Sequence, residues 1–139
     1  MSADQNKALI RRLFDEFVND GNVRLADQIF ADDVVDHGSP PGRQGLAGVK
    51  ESFNKMRAAF PDLRCTLDDI LAEGERVHVR LTIRGTHQGI YAGIPPTGAS
   101  IAWTGMDDFR FANGKVVERW SERDRVTQIG QLRAAAKPK

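Results

Sequence analysis

Strand alternation turns four ionisable side chains of this sequence toward an apolar interior. His87 shares the parity of Val79, Leu81 and Ile83, Asp107 that of Trp103 and Phe109, and Asp124 that of Val116 and Trp120, while His37 follows Val35. A carboxyl group in a partly dry apolar cavity has its charged form disfavoured, so its pKa rises toward the range where it takes and returns a proton near neutral pH. Asp124 is the expected acid/base on this reading. Alternation sends Arg123 to the other face, so Asp124 is expected to titrate above the ~3.9 of a free aspartate. An imidazole, from His87 or His37, would donate a hydrogen bond to a substrate oxygen that gains negative charge as a carbon acid loses its proton. A metal is not expected, because the histidines and carboxylates are scattered and show no HxxxH or HxH spacing. The same residues admit plainer readings: histidines as satisfied core residues, Asp107 as a turn brace, Trp103 and Trp120 as core, and Asp124 as the N-cap of a last helix.

Placing these residues requires helices followed by strands. Leu9, Ile10, Leu13, Phe14, Phe17 and Val18 return one turn apart and predict a helix over Asp4 to Asp20, stopped by Gly21. Asn22 is expected to cap a second helix reaching Phe30. After a brief alternation at Val35 and His37 the pattern breaks at Pro40, Pro41 and Gly42, and Leu46, Val49, Phe53 and Met56 restore helical spacing over Gly45 to Phe60. Strand periods follow over Arg64 to Glu73, Arg76 to Gly85, Ser100 to Phe111 and Lys115 to Arg123, with Asn113-Gly114 a two-residue hairpin signal. The stretch beyond Asp124 is weakly periodic, and residues 134 to 139 read as a frayed tail. Helices first and antiparallel strands after them give an α+β fold, helices packed on one face of a curved sheet with a cavity between. Trp103, Trp120, Asp107, Phe14 and Met56 are the expected lining, with Tyr91 on a Gly/Pro-rich loop that could cover it.

With 139 residues, 40% hydrophobic and 28% charged, the chain is read as a single domain over 1 to 139. Its 20 basic and 19 acidic residues nearly cancel, so neither nucleic acid nor a membrane surface is an expected partner. The single Cys65 cannot form an intrachain disulfide, and with no signal-peptide pattern at the N-terminus the chain is read as cytoplasmic. No GxSxG, GxGxxG or P-loop is present.

His87, the Gly-Ile-Pro-Pro-Thr-Gly turn at Gly93 to Gly98, Gly105 with Asp107 and Arg110, Gly114-Lys115, and Trp120 with Asp124 follow in order, with Asp36-His37 and Phe60-Pro61-Asp62 upstream. This pattern resembles the SnoaL-like polyketide cyclases of the nuclear-transport-factor-2-like superfamily. The resemblance implies a cone-shaped α+β barrel, commonly a homodimer, that closes a polyketide ring by intramolecular aldol condensation without metal or cofactor. It implies Asp124 as general acid/base, with His87 and His37 lining the pocket. Two other functions use the same pocket or none: a protein that holds a small hydrophobic molecule without turnover, and a dimer module whose ionisable residues are buried polar pairs. Epoxide hydrolases and dehydratases are further relatives of the superfamily.

Overall fold

The computed structural model describes residues 2–38 and 44–136, so the break expected at Pro40 to Gly42 lies outside the described residues. Helix α1 (Ala3–Arg12) starts at a reciprocal cap: Ser2 Oγ accepts from Gln5 N at 3.1 Å, and Gln5 Oε1 accepts from Ser2 N at 2.8 Å. It widens into a π-helical stretch, Leu13–Asn19, which turns Leu13, Phe14 and Phe17 into the core. Gly21 adopts φ 73°, the expected left-handed stop. The second helix is shorter than expected: a 3₁₀ turn (Val23–Leu25) leads into α2 (Ala26–Ile29), Asn22 makes no side-chain cap bond, and Phe30 already begins strand β1 (Phe30–Asp36). Helix α3 (Gly45–Ala59) is tied to the end of the π segment by Arg57, whose Nη2 donates to Val18 O at 3.0 Å and Asn19 O at 2.8 Å.

Strands β2 (Arg64–Glu73), β3 (Arg76–Thr86), β4 (Ser100–Ala112) and β5 (Lys115–Arg123) form antiparallel pairs, and β1 adds parallel to β5, giving the order β1-β5-β4-β3-β2. The sheet is curved but not closed into a barrel, so β1 and β2 keep free edges. Asn113 (φ 53°) and Gly114 (φ 79°) make the expected tight turn between β4 and β5. Val77, Val79, Leu81 and Ile83 face the helices, and Arg80 and Arg84 face away. The last described element is a helix, α4 (Arg125–Ala136), where a weakly periodic stretch and tail were expected: residues 134–136 are helical, and 137–139 lie outside the described residues. Its periodicity is faint because mainly Gln128 and Leu132, one turn apart, are buried, and one of them is polar.

Side-chain amides act as extra strand partners where backbone pairing ends. Asn19 takes both backbone groups of Cys65 (2.7 and 2.9 Å), Gln44 both groups of Asp36 (2.8 and 2.8 Å), and Gln131 both groups of Ala102 (3.0 and 2.8 Å). An amide carries one acceptor and donors in the geometry of a peptide group, so each blunts a sheet edge that would otherwise be open. The Gln131 clamp fastens α4 to β4. Gln131→Leu is expected to lower stability by about 2 kcal/mol in urea unfolding, through the loss of two hydrogen bonds at a partly buried backbone; an unchanged midpoint would show that the clamp contributes nothing.

Candidate functional site

The sheet's inner face is set in part by an irregularity that alternation could not anticipate. Between β4 and β5, Phe111 pairs with Val116 but Arg110 pairs with Glu118, so Val117 is an extra residue that reverses parity beyond it. Arg119, Ser121 and Arg123 therefore face the cavity, while Glu118, Trp120 and Glu122 face away from it. In β1 the buried Phe30, Val34 and Asp36 share one parity and face inward, while Val35, the residue His37 was aligned with, faces outward.

The side chains turned inward build a buried ionic floor. Asp107 is 1% exposed and lies between two guanidinium groups: Arg123 Nη1 donates to its Oδ1 at 2.7 Å, and Arg119 Nη2 to its Oδ2 at 3.2 Å. Arg119 also reaches Asp36, 2% exposed, by Nη1 to Oδ2 at 2.9 Å, and Gly38 N donates to Asp36 Oδ1 at 2.9 Å. Burial pushes the Asp107 carboxyl up, but the charges of Arg119 and Arg123, with hydrogen bonds from Arg123 and Ser121, outweigh it and hold the group down to about 2. Burial works against the charge of Arg119 as well, and Asp107 and Asp36 more than restore it, leaving its pKa raised. Gly105 makes this packing feasible. A Cβ there would stand 2.8 Å from Arg123 Nη1 and 2.7 Å from Glu122 O, so a side chain would displace the guanidinium from Asp107.

Above the floor lies a cavity of about 660 Å³ with mainly apolar walls: Leu13, Phe14 and Phe17 from the π segment, Phe53 and Met56 from α3, Ile83 and Trp103 from the sheet, and Tyr91 from the 88–99 loop. Asp36, Asp107, Arg119, Ser121 and Arg123 line it at the polar end. The Cys65 thiol also lines it and is pushed up to about 12, chiefly by burial, so it stays protonated and unreactive. Among the described residues no three of His, Cys, Asp and Glu gather as metal ligands, and no helix is long and apolar enough to cross a membrane.

Residues 8–132 match the SnoaL-like polyketide cyclase family. The chain belongs to that family. IdmH from Streptomyces antibioticus, a candidate polyketide cyclase, superposes with a TM-score of 0.81 at 32% identity, over 92% of this chain and 98% of that one. AclR from Streptomyces galilaeus, a candidate hydroxylase, superposes with a TM-score of 0.83 at 27% identity, over 96% and 98% of the two chains. A 1,4-beta-D-glucan glucohydrolase of Thermotoga neapolitana is 30% identical over 76 residues, a match that covers 50% of this chain but only 18% of that protein's length.

Within this SnoaL-like chain the expected site residues divide. Trp103, Asp107, Tyr91, Phe14 and Met56 line the cavity. Trp120 does not: the Val117 bulge turns it outward, where it lies between the Arg76 guanidinium (4.5 Å) and the stacked His37 ring (5.0 Å). His37 is likewise on the outer face, with Nε2 2.7 Å from Glu118 Oε2. Asp124 is exposed, not on the cavity face. Its carboxylate caps α4, accepting from Thr127 N at 3.1 Å and Thr127 Oγ1 at 2.7 Å, and these bonds lower its pKa where a rise was expected. Arg123, expected outside, is the one turned in. His87 is inside as expected and fully buried, but it is absent from the cavity lining: its Nδ1 accepts from Thr97 N at 3.2 Å, pinning the Pro-Pro-Thr-Gly turn while its ring packs on Phe60. Asp36, Arg119, Ser121 and Arg123 were missed. The one available signal was that Glu118 and Glu122 share Trp120's parity, which marks that face as the wet one.

The ionic floor makes a stability prediction with a definite sign. Because the Asp107 value of about 2 in the folded chain lies below the ordinary carboxyl value, its contribution is complete above about pH 4 and is lost as pH falls through about 2, and is worth about 2 kcal/mol. Asp107→Asn is expected to be less stable at pH 7 by at least that amount, with the gap closing toward pH 2 in urea unfolding across pH; a gap independent of pH would contradict the ion pairing.

Proposed function

We propose that this chain is a cofactor-independent cyclase or isomerase that acts on a small hydrophobic β-dicarbonyl compound of polyketide type by aldol ring closure. The observation that carries the reading is an ionic floor of two carboxylates and two guanidinium groups at one end of an otherwise apolar cavity, in a chain of the polyketide cyclase family. Apolar walls take a ring or chain, and the floor supplies the fixed charges that an enolate needs.

The roles follow from the charge arrangement. Asp107 faces two guanidiniums and is a poor base; it holds Arg119 and Arg123 in place. Asp36 lines the cavity beside Arg119 and is the carboxylate assigned to take the proton. It removes a proton from the carbon between two carbonyls, and the enolate oxygen is stabilised by Arg119 and Arg123. The enolate carbon bonds to a further carbonyl carbon of the same molecule, and the alkoxide formed there takes the proton back from Asp36. The product is an isomer of the substrate, so no atom or electron is left over. Asp124 has the part of a helix cap.

The depressed Asp107 favours a second reading, a protein that binds such a ligand without turning it over. A turnover assay with an aromatic polyketide analogue separates the two. Asp36→Asn is expected to lower kcat by about a hundredfold or more, with Asp124→Asn at the wild-type rate. Full activity in Asp36→Asn would remove Asp36 from the chemistry, and tight binding with no turnover by the wild type would establish the second reading.

A further inference from the structure

Asp36 is the last residue of β1, so the backbone that carries the assigned base lies where its strand runs out. On the β5 side it is paired with Arg119, and His37 N donates to Arg119 O at 2.8 Å just beyond it. On its other side, among the described residues, β1 has no neighbouring strand. Gln44 stands in for one there: its Oε1 accepts from Asp36 N at 2.8 Å, and its Nε2 donates to Asp36 O at 2.8 Å. The carboxylate itself is held at Oδ1 by Gly38 N and at Oδ2 by Arg119 Nη1, both at 2.9 Å.

Gln44 does not serve its own helix in this way. It occupies the N-cap position of α3 and makes no capping bond, although a shorter polar residue there would satisfy a free amide of the first turn. Its side chain is spent across the gap on β1 instead. The next residue, Gly45, has φ 77°, and a Cβ on it would stand 2.9 Å from Asp32 O, so the start of α3 is seated directly on the β1 backbone. α3 in turn carries Phe53 and Met56 into the cavity wall. One amide thereby joins the strand that presents the carboxylate to the helix that walls the substrate. The similar clamps at Cys65 and Ala102 hold no group that reacts.

A base must lie within hydrogen-bond reach of the proton it removes, and a misplacement of about 1 Å costs on the order of a hundredfold in rate. We propose that Gln44 is a positioning residue for ring closure: by holding the Asp36 peptide against the start of α3, it sets the distance between the carboxylate and a substrate seated on Phe53 and Met56. The inference rests on Asp36 as the base of the cyclase reading. Gln44 is absent from the cavity lining, so its loss slows the chemical step and leaves substrate binding as it is.

Steady-state kinetics of the full chain with ortho-(2-oxopropyl)benzoylacetone, whose ring-closed product is followed by chromatography, test it. Gln44→Met keeps the length of the side chain and loses both bonds; it is expected to lower kcat about tenfold with KM unchanged. In an Asp36→Asn background the same substitution should lower kcat no further, because the group it positions is gone. A residue kept only for the fold would slow both backgrounds alike. Gln44→Glu keeps the acceptor and loses the donor; it is expected to lower kcat in the same Asp36-dependent way, and it reads the clamp should Gln44→Met not fold. An unchanged kcat, a loss carried by KM instead, or equal losses in the two backgrounds would overturn the proposal and leave the cyclase reading standing. An Asp36→Asn protein as fast as wild type, or a wild type with no turnover, would overturn both.

Discussion

A carboxylate buried between two guanidinium groups is the constraint on which the rest of this structure turns. Asp107 could not stay ionised at 1% exposure without Arg119 and Arg123, and Arg123 would not stay inside without it, while Arg119 is held by Asp107 and Asp36 together. Buried ion pairs of this kind are weak contributors to stability when compared with apolar residues of the same volume, because desolvation consumes much of the attraction. Their presence at the end of an apolar cavity is better accounted for by the field they set up there. Gly105 is empty of side chain so that Arg123 can fold back, and the bulge at Val117 exists in the same few residues that must turn two arginines and a serine inward.

Much of the fold is legible in the sequence because its signals are local. The Asn113-Gly114 turn, the alternation of Val77 to Ile83, and the helical spacing through Leu46, Val49, Phe53 and Met56 each follow from the backbone preferences of a few neighbouring residues. The short α2 and strand β1 are not legible in this way: apolar Ile29 and Phe30 continue the helical spacing, and only pairing with β5, far away in the chain, makes Phe30 a strand residue. Helix α4 is hidden for a related reason, since a buried glutamine stands where its apolar stripe would be read.

The site was legible in type and misplaced in register. Parity placed two aspartates and two histidines at the cavity, and the structure does put ionisable groups there, but one inserted residue in β5 exchanges the faces beyond it, and in β1 the inward parity is that of Phe30 and Val34 rather than Val35. Asp36 goes in and its neighbour His37 goes out; Arg119 and Arg123 go in and Trp120 goes out. Asp124 lies just past the end of β5, where its backbone N donates to Thr104 O and its side chain turns to the first turn of α4. The plainer reading of that residue, a helix cap, was the one its chemistry favoured. A period-two pattern fixes a face only until the first bulge, and the sites that bind ligands are where bulges gather.

Carboxyl-resolved carbon NMR titration of Asp107 and Asp124 in the folded protein tests the account most directly. The account predicts that Asp107 titrates near the value of about 2 set by its two guanidinium partners, and that Asp124 titrates below a free aspartate as a helix cap does. An Asp124 carboxyl that titrates above the free value, with Asp107 at or above it as well, would contradict it: the cavity would then hold a different acid, and the ionic floor would not exist in solution.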